Sequence, residues 1–248
     1  MTLPRTVSTE TLDTLAAHDA RAVRSRRDLR RVNRILGSRG TIIGGMRSII
    51  ERCPRDLPLH VLELGAGDGS LMLRIAQEMS ASWPAVHLTL LDRVALVDAA
   101  TSSAYSRLGW TVQSLNVNVL DWAALPMPSH LPARWDVIVA NLFLHHFDNS
   151  LLRQLLLAVA ARCNCFIACE PRRSRFALIG SYLIGAVGAN SVTREDAVLS
   201  VHAGFHGAEL SMVWPRDHDD WQLQEHAAGL FSHLFCAARR GAAAAGAA

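Results

Sequence analysis

This 248-residue sequence predicts an α/β fold: a doubly wound, mostly parallel sheet that finishes with an antiparallel strand. Three observations predict it. Short apolar runs alternate with helically spaced segments from residue 59 to about residue 170. The first run ends in a glycine-rich turn, and two strand-like runs close the chain. Half of the residues are apolar and only 19% are charged, so a large core is available and disorder is not the dominant state. The length suits one such domain with additions.

The first element is an N-terminal helical lid or extension, residues 1–58. Between Arg21 and Arg39 eight Arg stand against one acid, Asp28. Leu29, Val32, Ile35 and Leu36 make an apolar stripe that a helix would bury, and Gly37 ends it. Gly40, Gly44 and Gly45 read as hinge or turn points before a short helix around Met46 to Arg52. Pro54 and Pro58 close the segment.

The main domain, residues 59–238, begins with a strand at Leu59 to Leu64, and Ser70 to Met79 has helical spacing. Val86 to Leu91 is a second strand, Asp92 to Arg107 a helix, Thr111 to Asn118 a third strand and Trp135 to Asn141 a fourth. Leu151 to Arg162 is a helix and Cys165 to Glu170 a fifth strand. Such alternation implies right-handed crossovers and a sheet covered on both faces. Residues 171–205 form a helical insertion. Trp221 to His226 and Leu230 to Cys236 then read as a hairpin, and residues 239–248 as a disordered tail.

Composition excludes several chemistries. All 25 basic residues are Arg, so a lysine Schiff base, a lysine general base and a P-loop lysine are ruled out. Five Cys without a Cys-x-x-Cys pair make neither a disulfide framework nor a zinc knuckle. Cys163, Cys165 and Cys169 read as packed thiols on one face of a strand. The N-terminus lacks a signal-peptide layout, and the longest uncharged run, Phe176 to Thr193, holds three Gly, two Ser and an Asn. It reads as lid or buried structure, not a membrane span, and a reducing cytoplasm is the expected setting.

The chemistry-bearing motif is Val61-Leu-Glu-Leu-Gly65-Ala-Gly67-Asp68-Gly69-Ser, a strand entering a glycine turn and then a helix. Alternate glycines let the backbone bend sharply and approach a ligand, at the carboxyl ends of the strands beside the first crossover. The second strand ends in Asp92, 27 residues after Gly65, where a carboxylate can accept both hydroxyls of a ribose. A dinucleotide site would need its third glycine at position 70, which is Ser.

With these residues, with Asn118-Val-Leu-Asp121-Trp122, and with Asp136-Val-Ile-Val-Ala-Asn141-Leu-Phe-Leu-His145-His146-Phe147, residues 59–238 resemble a Rossmann-like class I S-adenosylmethionine-dependent methyltransferase. The His-His segment is similar to the small-molecule branch, of quinone and natural-product type. The resemblance implies S-adenosylmethionine as cofactor and S-adenosylhomocysteine as product. It implies that Gly65, Ala66 and Gly67 approach the amino acid part and that Glu63 meets its amino group. Asp92 would hold the ribose, Asn118 and Val119 would border the adenine, and Asn141 and Leu142 would flank the methionine portion. Asp68, Gly69 and Arg93 complete the expected cofactor set. Asn stands at 118 where many relatives carry Asp, which leaves a carbonyl to accept from the adenine. Asp121 and Trp122 read as structural.

Acceptor signatures narrow the reaction. Asn141-Leu-Phe-Leu lacks the Pro-Pro-aromatic of base amino methylation, no Pro-Cys dipeptide exists, and a metal-dependent catechol site would need a carboxylate at 141 and a lysine. The expectation is metal-free O-methylation of a small hydrophobic hydroxyl or phenol, polyketide-like or a quinone precursor, with no metal ligands. His145 or His146 is the candidate general base; on an extended segment adjacent side chains point opposite ways, so only one would reach the acceptor. Arg172 and Arg173 are candidates for clamping an anionic acceptor or carrier, with Tyr182 on a lid; the alternative is a solvated helix start with Glu170 pairing one Arg. His202, His206, His218 and His233 have no partner at metal-ligand spacing. The Arg-rich helix supports an RNA methyltransferase as the alternative function; the small net charge of +3 favours a lid or a homodimer contact instead, with no nucleic acid partner.

Overall fold

The computed structural model describes residues 3–50, 57–79, 81–126, 128–215 and 220–240. Arg52, Pro54, His218 and the tail from residue 241 lie outside them. Strands β1 (Leu59–Leu64), β2 (Val86–Asp92), β3 (Trp110–Asn116), β4 (Trp135–Asn141), β5 (Cys163–Pro171), β6 (Trp221–Ala228) and β7 (Ser232–Arg239) form one seven-stranded sheet in the order β3-β2-β1-β4-β5-β7-β6. β1 to β5 are parallel. β7 inserts antiparallel between β5 and β6, as the terminal hairpin predicts. β1, β4 and β5 are buried along nearly their whole length, which is why they read as unbroken apolar runs.

Ten helices flank the sheet among the described residues: α1 (Thr11–Thr14), α2 (Ala20–Leu36), α3 (Ser38–Ile50), α4 (Ser70–Met79), α5 (Ala99–Arg107), α6 (Val119–Ala124), α7 (Asn149–Arg162), α8 (Arg175–Leu183), α9 (Ser191–Ala203) and α10 (Glu209–Val213). Two cores lie on opposite faces. One joins α3, α4 and α5 to the sheet through Ile42, Met46, Met72, Ile75 and Tyr105. The other joins α6, α7 and α10 through Trp122, Leu155, Val159, Leu210 and Trp214. No helix among the described residues is long and apolar enough to cross a membrane.

Several expectations are corrected. Gly40, Gly44 and Gly45 are not turn points but lie inside α3. At Gly45 an added Cβ would stand 3.2 Å from Cys236 Sγ and 3.3 Å from Ile167 Cγ2, so the missing side chain lets α3 press onto the sheet. The helix expected from Asp92 starts at Ala99, where Asp98 caps it by accepting from Thr101 N–H (2.7 Å). The third strand stops at Asn116, because the Asn118 side chain caps the unforeseen α6, accepting from Leu120 N–H at 2.9 Å. Cys165 and Cys169 share one face of β5, but Cys163, directly after α7, packs with the opposite core. Gly37 does end α2, in the left-handed region at φ 69°. The stripe Leu29, Val32, Ile35 and Leu36 is not buried in the core: it lines a cavity, and α2 buries Ala22, Ser25 and Asp28 instead.

Candidate active site

The parallel strands deliver their carboxyl ends to one edge, and the order reverses between β1 and β4, where a crevice opens. The glycine turn sits there with φ of 66°, 55° and 72° at Gly65, Gly67 and Gly69, values open to glycine at little cost. Ala66 N–H donates to Leu91 O (3.0 Å), and Gly67 N–H donates to Asp92 Oδ2 (2.8 Å). Val94 N–H donates to the other oxygen (2.9 Å), so the Asp92 carboxylate is fixed against the turn with lone pairs to spare. Tyr105 of α5 braces the turn from beneath, its hydroxyl donating to Gly69 O at 2.6 Å.

Every expected cofactor residue except Gly69 lines one cavity of about 680 Å³, within the size range of ligand pockets. Gly69 faces inward instead, where a Cβ would meet Leu90 Cδ1 at 2.8 Å. At Gly67 a Cβ would meet nothing within 4 Å, so the turn presents bare backbone to open space. Beneath it Glu63 is 3% exposed, and its Oε2 has no partner. Burial, and then the charges of Asp68 and Asp92, hold its carboxyl well above the usual range. An orphaned buried acceptor beside two further carboxylates is a site for a cation or a donor. Asn141 donates to Asn33 Oδ1 of α2 (3.1 Å), and its own Oδ1 is likewise buried and unpartnered. Leu142 follows at φ 49°, strained for a side-chain-bearing residue, with its N–H donating to Cys169 O (2.9 Å).

The N-terminal segment closes this edge. Arg30 of α2 donates to Asp68 Oδ2 (2.6 Å). Arg93, expected at the cofactor, donates to Asp13 Oδ1 (2.9 Å) and Asp13 O (2.7 Å), tying the segment across the mouth.

His145 and His146 stand on a single 3-10 turn, Leu144–His146, not on an extended segment, so both rings face the same way with centroids 4.2 Å apart. Glu170, fully buried at the end of β5, organises that turn. Its carboxylate accepts from the N–H of Phe143 (3.1 Å) and Leu144 (2.9 Å) and from His145 Nδ1 (2.8 Å). No arginine among the described residues pairs with Glu170. His145 Nε2 and His146 Nε2 each lie 3.3 Å from the Glu10 carboxylate. Burial lowers the His145 pKa, but hydrogen bonds to Glu10 and Glu170 outweigh it and raise it to about 9. Burial raises the Glu10 carboxyl, and its bonds to both histidines outweigh that, leaving it well below the carboxylate range. A 2% exposed imidazole held between two carboxylates at such a pKa carries its proton at neutral pH and is no general base in that state. His146, with a quarter of its side chain exposed, is the more accessible of the two.

The arginine clamp is not met: Arg172, Arg173 and Tyr182 lie outside the cavity lining. Arg173 is 4% exposed and spent on Leu3 O, Gly204 O and the Glu209 carboxylate. Arg172 donates to Gly229 O (3.2 Å) in the hairpin turn, and Tyr182 is 66% exposed. The part of α8 that does reach the cavity is Ala177, Gly180, Ser181 and Leu183. Trp122 is structural as expected, buried against Trp135, and His233 is satisfied by Glu225 Oε1 at 2.8 Å. Glu10, Arg30, Asn33 and the anchoring role of Glu170 escaped the sequence reading. Glu10 gives no local signal, since it meets His145 from 135 residues away.

The sequence matches no family model and no curated protein. Solved structures do resemble it. The plantazolicin methyltransferase BpumL in complex with SAH superposes with a TM-score of 0.61 at 12% identity, over 90% of this chain and 92% of that one. An O-methyltransferase family protein from Burkholderia thailandensis gives 0.58 at 17% identity, over 91% of this chain and 62% of that one. Magnesium protoporphyrin IX methyltransferase from Synechocystis PCC 6803, with bound SAH, gives 0.50 at 12% identity, over 92% and 91%. The chain has the fold of the class I S-adenosylmethionine-dependent methyltransferases, with the mostly parallel seven-stranded sheet and reversed last strand that its sequence predicts.

Proposed function

We propose that this protein is an S-adenosylmethionine-dependent methyltransferase acting on a small hydrophobic acceptor, with a hydroxyl or phenol as the favoured methyl acceptor. One observation carries the reading: the unpartnered Glu63 Oε2, buried under a glycine turn whose backbone is open to the cavity and flanked by the fixed Asp92 carboxylate. The cofactor fits these residues. Its amino group supplies the cation that Glu63 lacks, and its ribose hydroxyls suit the lone pairs that Asp92 retains. Asn118 and Val119 would border the adenine, with the Asn118 carbonyl shared between that duty and the α6 cap. Asn141 and Leu142 would flank the methionine portion.

When bound, the sulfonium supplies an electrophilic methyl carbon. The protein holds the acceptor in line and excludes water while the acceptor proton is lost. The Glu10–His145–His146 cluster lines the same cavity as the glycine turn, which supports it as the group set that would meet the acceptor hydroxyl. Leu29, Val32 and Leu36 of α2 and Ile184 after α8 give the cavity an apolar wall suited to an aromatic or aliphatic acceptor. The RNA reading finds no support in the structural neighbours, and three of the seven Arg of α2, Arg21, Arg30 and Arg31, are engaged with Asp19, Asp68 and Asp28.

The test is a transfer assay that follows S-adenosylhomocysteine release against panels of phenols, carboxylates, amines and RNA. A lipophilic phenol should turn over, and His146→Ala should reduce turnover while cofactor binding persists. Turnover confined to RNA would refute the small-molecule reading.

A further inference from the structure

Both histidines of the cluster are fixed in one tautomer by acceptors behind them. His145 Nδ1 lies 2.8 Å from the Glu170 carboxylate and His146 Nδ1 lies 2.9 Å from Phe143 O, so each Nδ1 must carry the hydrogen. Each Nε2 then points at Glu10, one at Oε1 and one at Oε2, both at 3.3 Å, and offers a lone pair once any proton there is displaced. Asp13 Oδ2 follows at 3.7 Å from His146 Nε2, and the ligating atoms of Glu10, His145 and His146 all lie within 4.8 Å of one another. Ser200 Oγ donates to Glu10 Oε1 and orients that carboxylate. Lone pairs converging on lone pairs need positive charge between them: either two protons or one cation.

The distances leave room for the cation. A charge-assisted N–H···O contact is typically about 2.7–2.9 Å. Two ligands about 2.1 Å from a four-coordinate ion stand about 3.4 Å apart. The outer contacts also have the form that metal-binding histidines use, a carboxylate behind one ring and a backbone carbonyl behind the other.

We infer that Glu10, His145 and His146 form a divalent transition-metal site, of the two-imidazole, one-carboxylate kind that takes zinc or a neighbouring first-row ion. It has three protein ligands and opens onto the cavity, the form of a catalytic rather than a structural site. A hydroxyl bound at the open position would ionise more readily, so its oxygen could form the new bond to the methyl carbon as the carbon–sulfur bond breaks, with the proton passing to solvent. This catalytic role rests on the proposed methyl transfer; the binding of the ion does not. The inference replaces the metal-free expectation drawn from the sequence, where residue 10 and the His pair have no visible connection.

Full-length protein stripped with a chelator and titrated with Co²⁺ tests it through visible absorption. One saturable equivalent with the intense bands of low-coordinate cobalt is expected, displaced by Zn²⁺. Glu10→Ala and His146→Ala should each abolish the bands. Glu170→Gln should weaken binding by about 10–100-fold, while His206→Ala leaves it intact. Circular dichroism and thermal melts report that each variant is folded. Absence of a saturable band in folded wild-type protein overturns the site, as does survival of the band in both ligand variants. An intact cobalt band in a protein that binds no S-adenosylhomocysteine supports the site and refutes the methyltransferase reading instead.

Discussion

Replacing Gly65 with alanine sets a Cβ 2.3 Å from Cδ2 of Phe143, 2.7 Å from its Cγ and 2.8 Å from its Cε2. The Cγ contact means that the whole side chain, not its tip, must move, and Phe143 is itself held by its N–H to Glu170. Two costs add. A side-chain-bearing residue at φ 66° costs about 1–2 kcal/mol, and forcing an occupied space open costs about 1–3 kcal/mol more, for about 2–5 kcal/mol in total. Gly67→Ala is the internal control. Its φ is 55° but nothing lies within 4 Å of the new Cβ, so only the backbone cost of about 1–2 kcal/mol applies. Urea unfolding of the two variants beside wild type, compared at equal m-value, reads the difference. Gly65→Ala should be the less stable by about 1–3 kcal/mol, whereas Gly67→Ala should lose cofactor binding out of proportion to its stability. Equal destabilisation of the two would refute the packing of Phe143 over the turn.

Glu63→Gln should make the cofactor-free protein more stable at neutral pH. The Glu63 carboxyl is raised in the folded state, so its contribution is fully present below the ordinary value of 4.5 and is lost as pH rises through the raised value. Thermal melts of wild type across that range should fall with pH more steeply than those of the variant; parallel curves would contradict the buried carboxyl. Asp92→Ala removes the acceptor of both Gly67 N–H and Val94 N–H, and should lower stability by about 1–3 kcal/mol and abolish S-adenosylhomocysteine binding by calorimetry. Arg30→Ala breaks a partly exposed pair with Asp68 and should change stability by less than about 1 kcal/mol, yet speed S-adenosylhomocysteine release in stopped-flow because α2 loses its tie to the turn. An unchanged release rate would remove α2 from cofactor retention.

Strands were legible where burial is two-sided: β1 and β4 follow the expected boundaries because each is a continuous apolar run ending in a turn or a polar site residue. The glycine turn and Asp92 were legible because backbone curvature and a strand-end carboxylate are local features. What escaped was set by packing between distant segments. Gly45 looks like a hinge in sequence and is a contact point in the fold, and α6 is only six residues long and begins at a side-chain cap. Arg173 looked like a free cation, but the chain folds carbonyls of residues 3 and 204 onto it. The histidines were found, but their orientation was not, because a 3-10 turn held by Glu170 replaces the extended segment. Glu10 joins them only after the N-terminal segment crosses the mouth of the site.

Titration calorimetry of the folded, full-length chain with S-adenosylhomocysteine most directly probes whether Glu63, the bare turn and Asp92 hold a sulfonium nucleoside. Saturable one-to-one binding, lost in Asp92→Ala and absent for a nicotinamide dinucleotide, is the predicted result. No heat and no thermal protection in folded protein would contradict it.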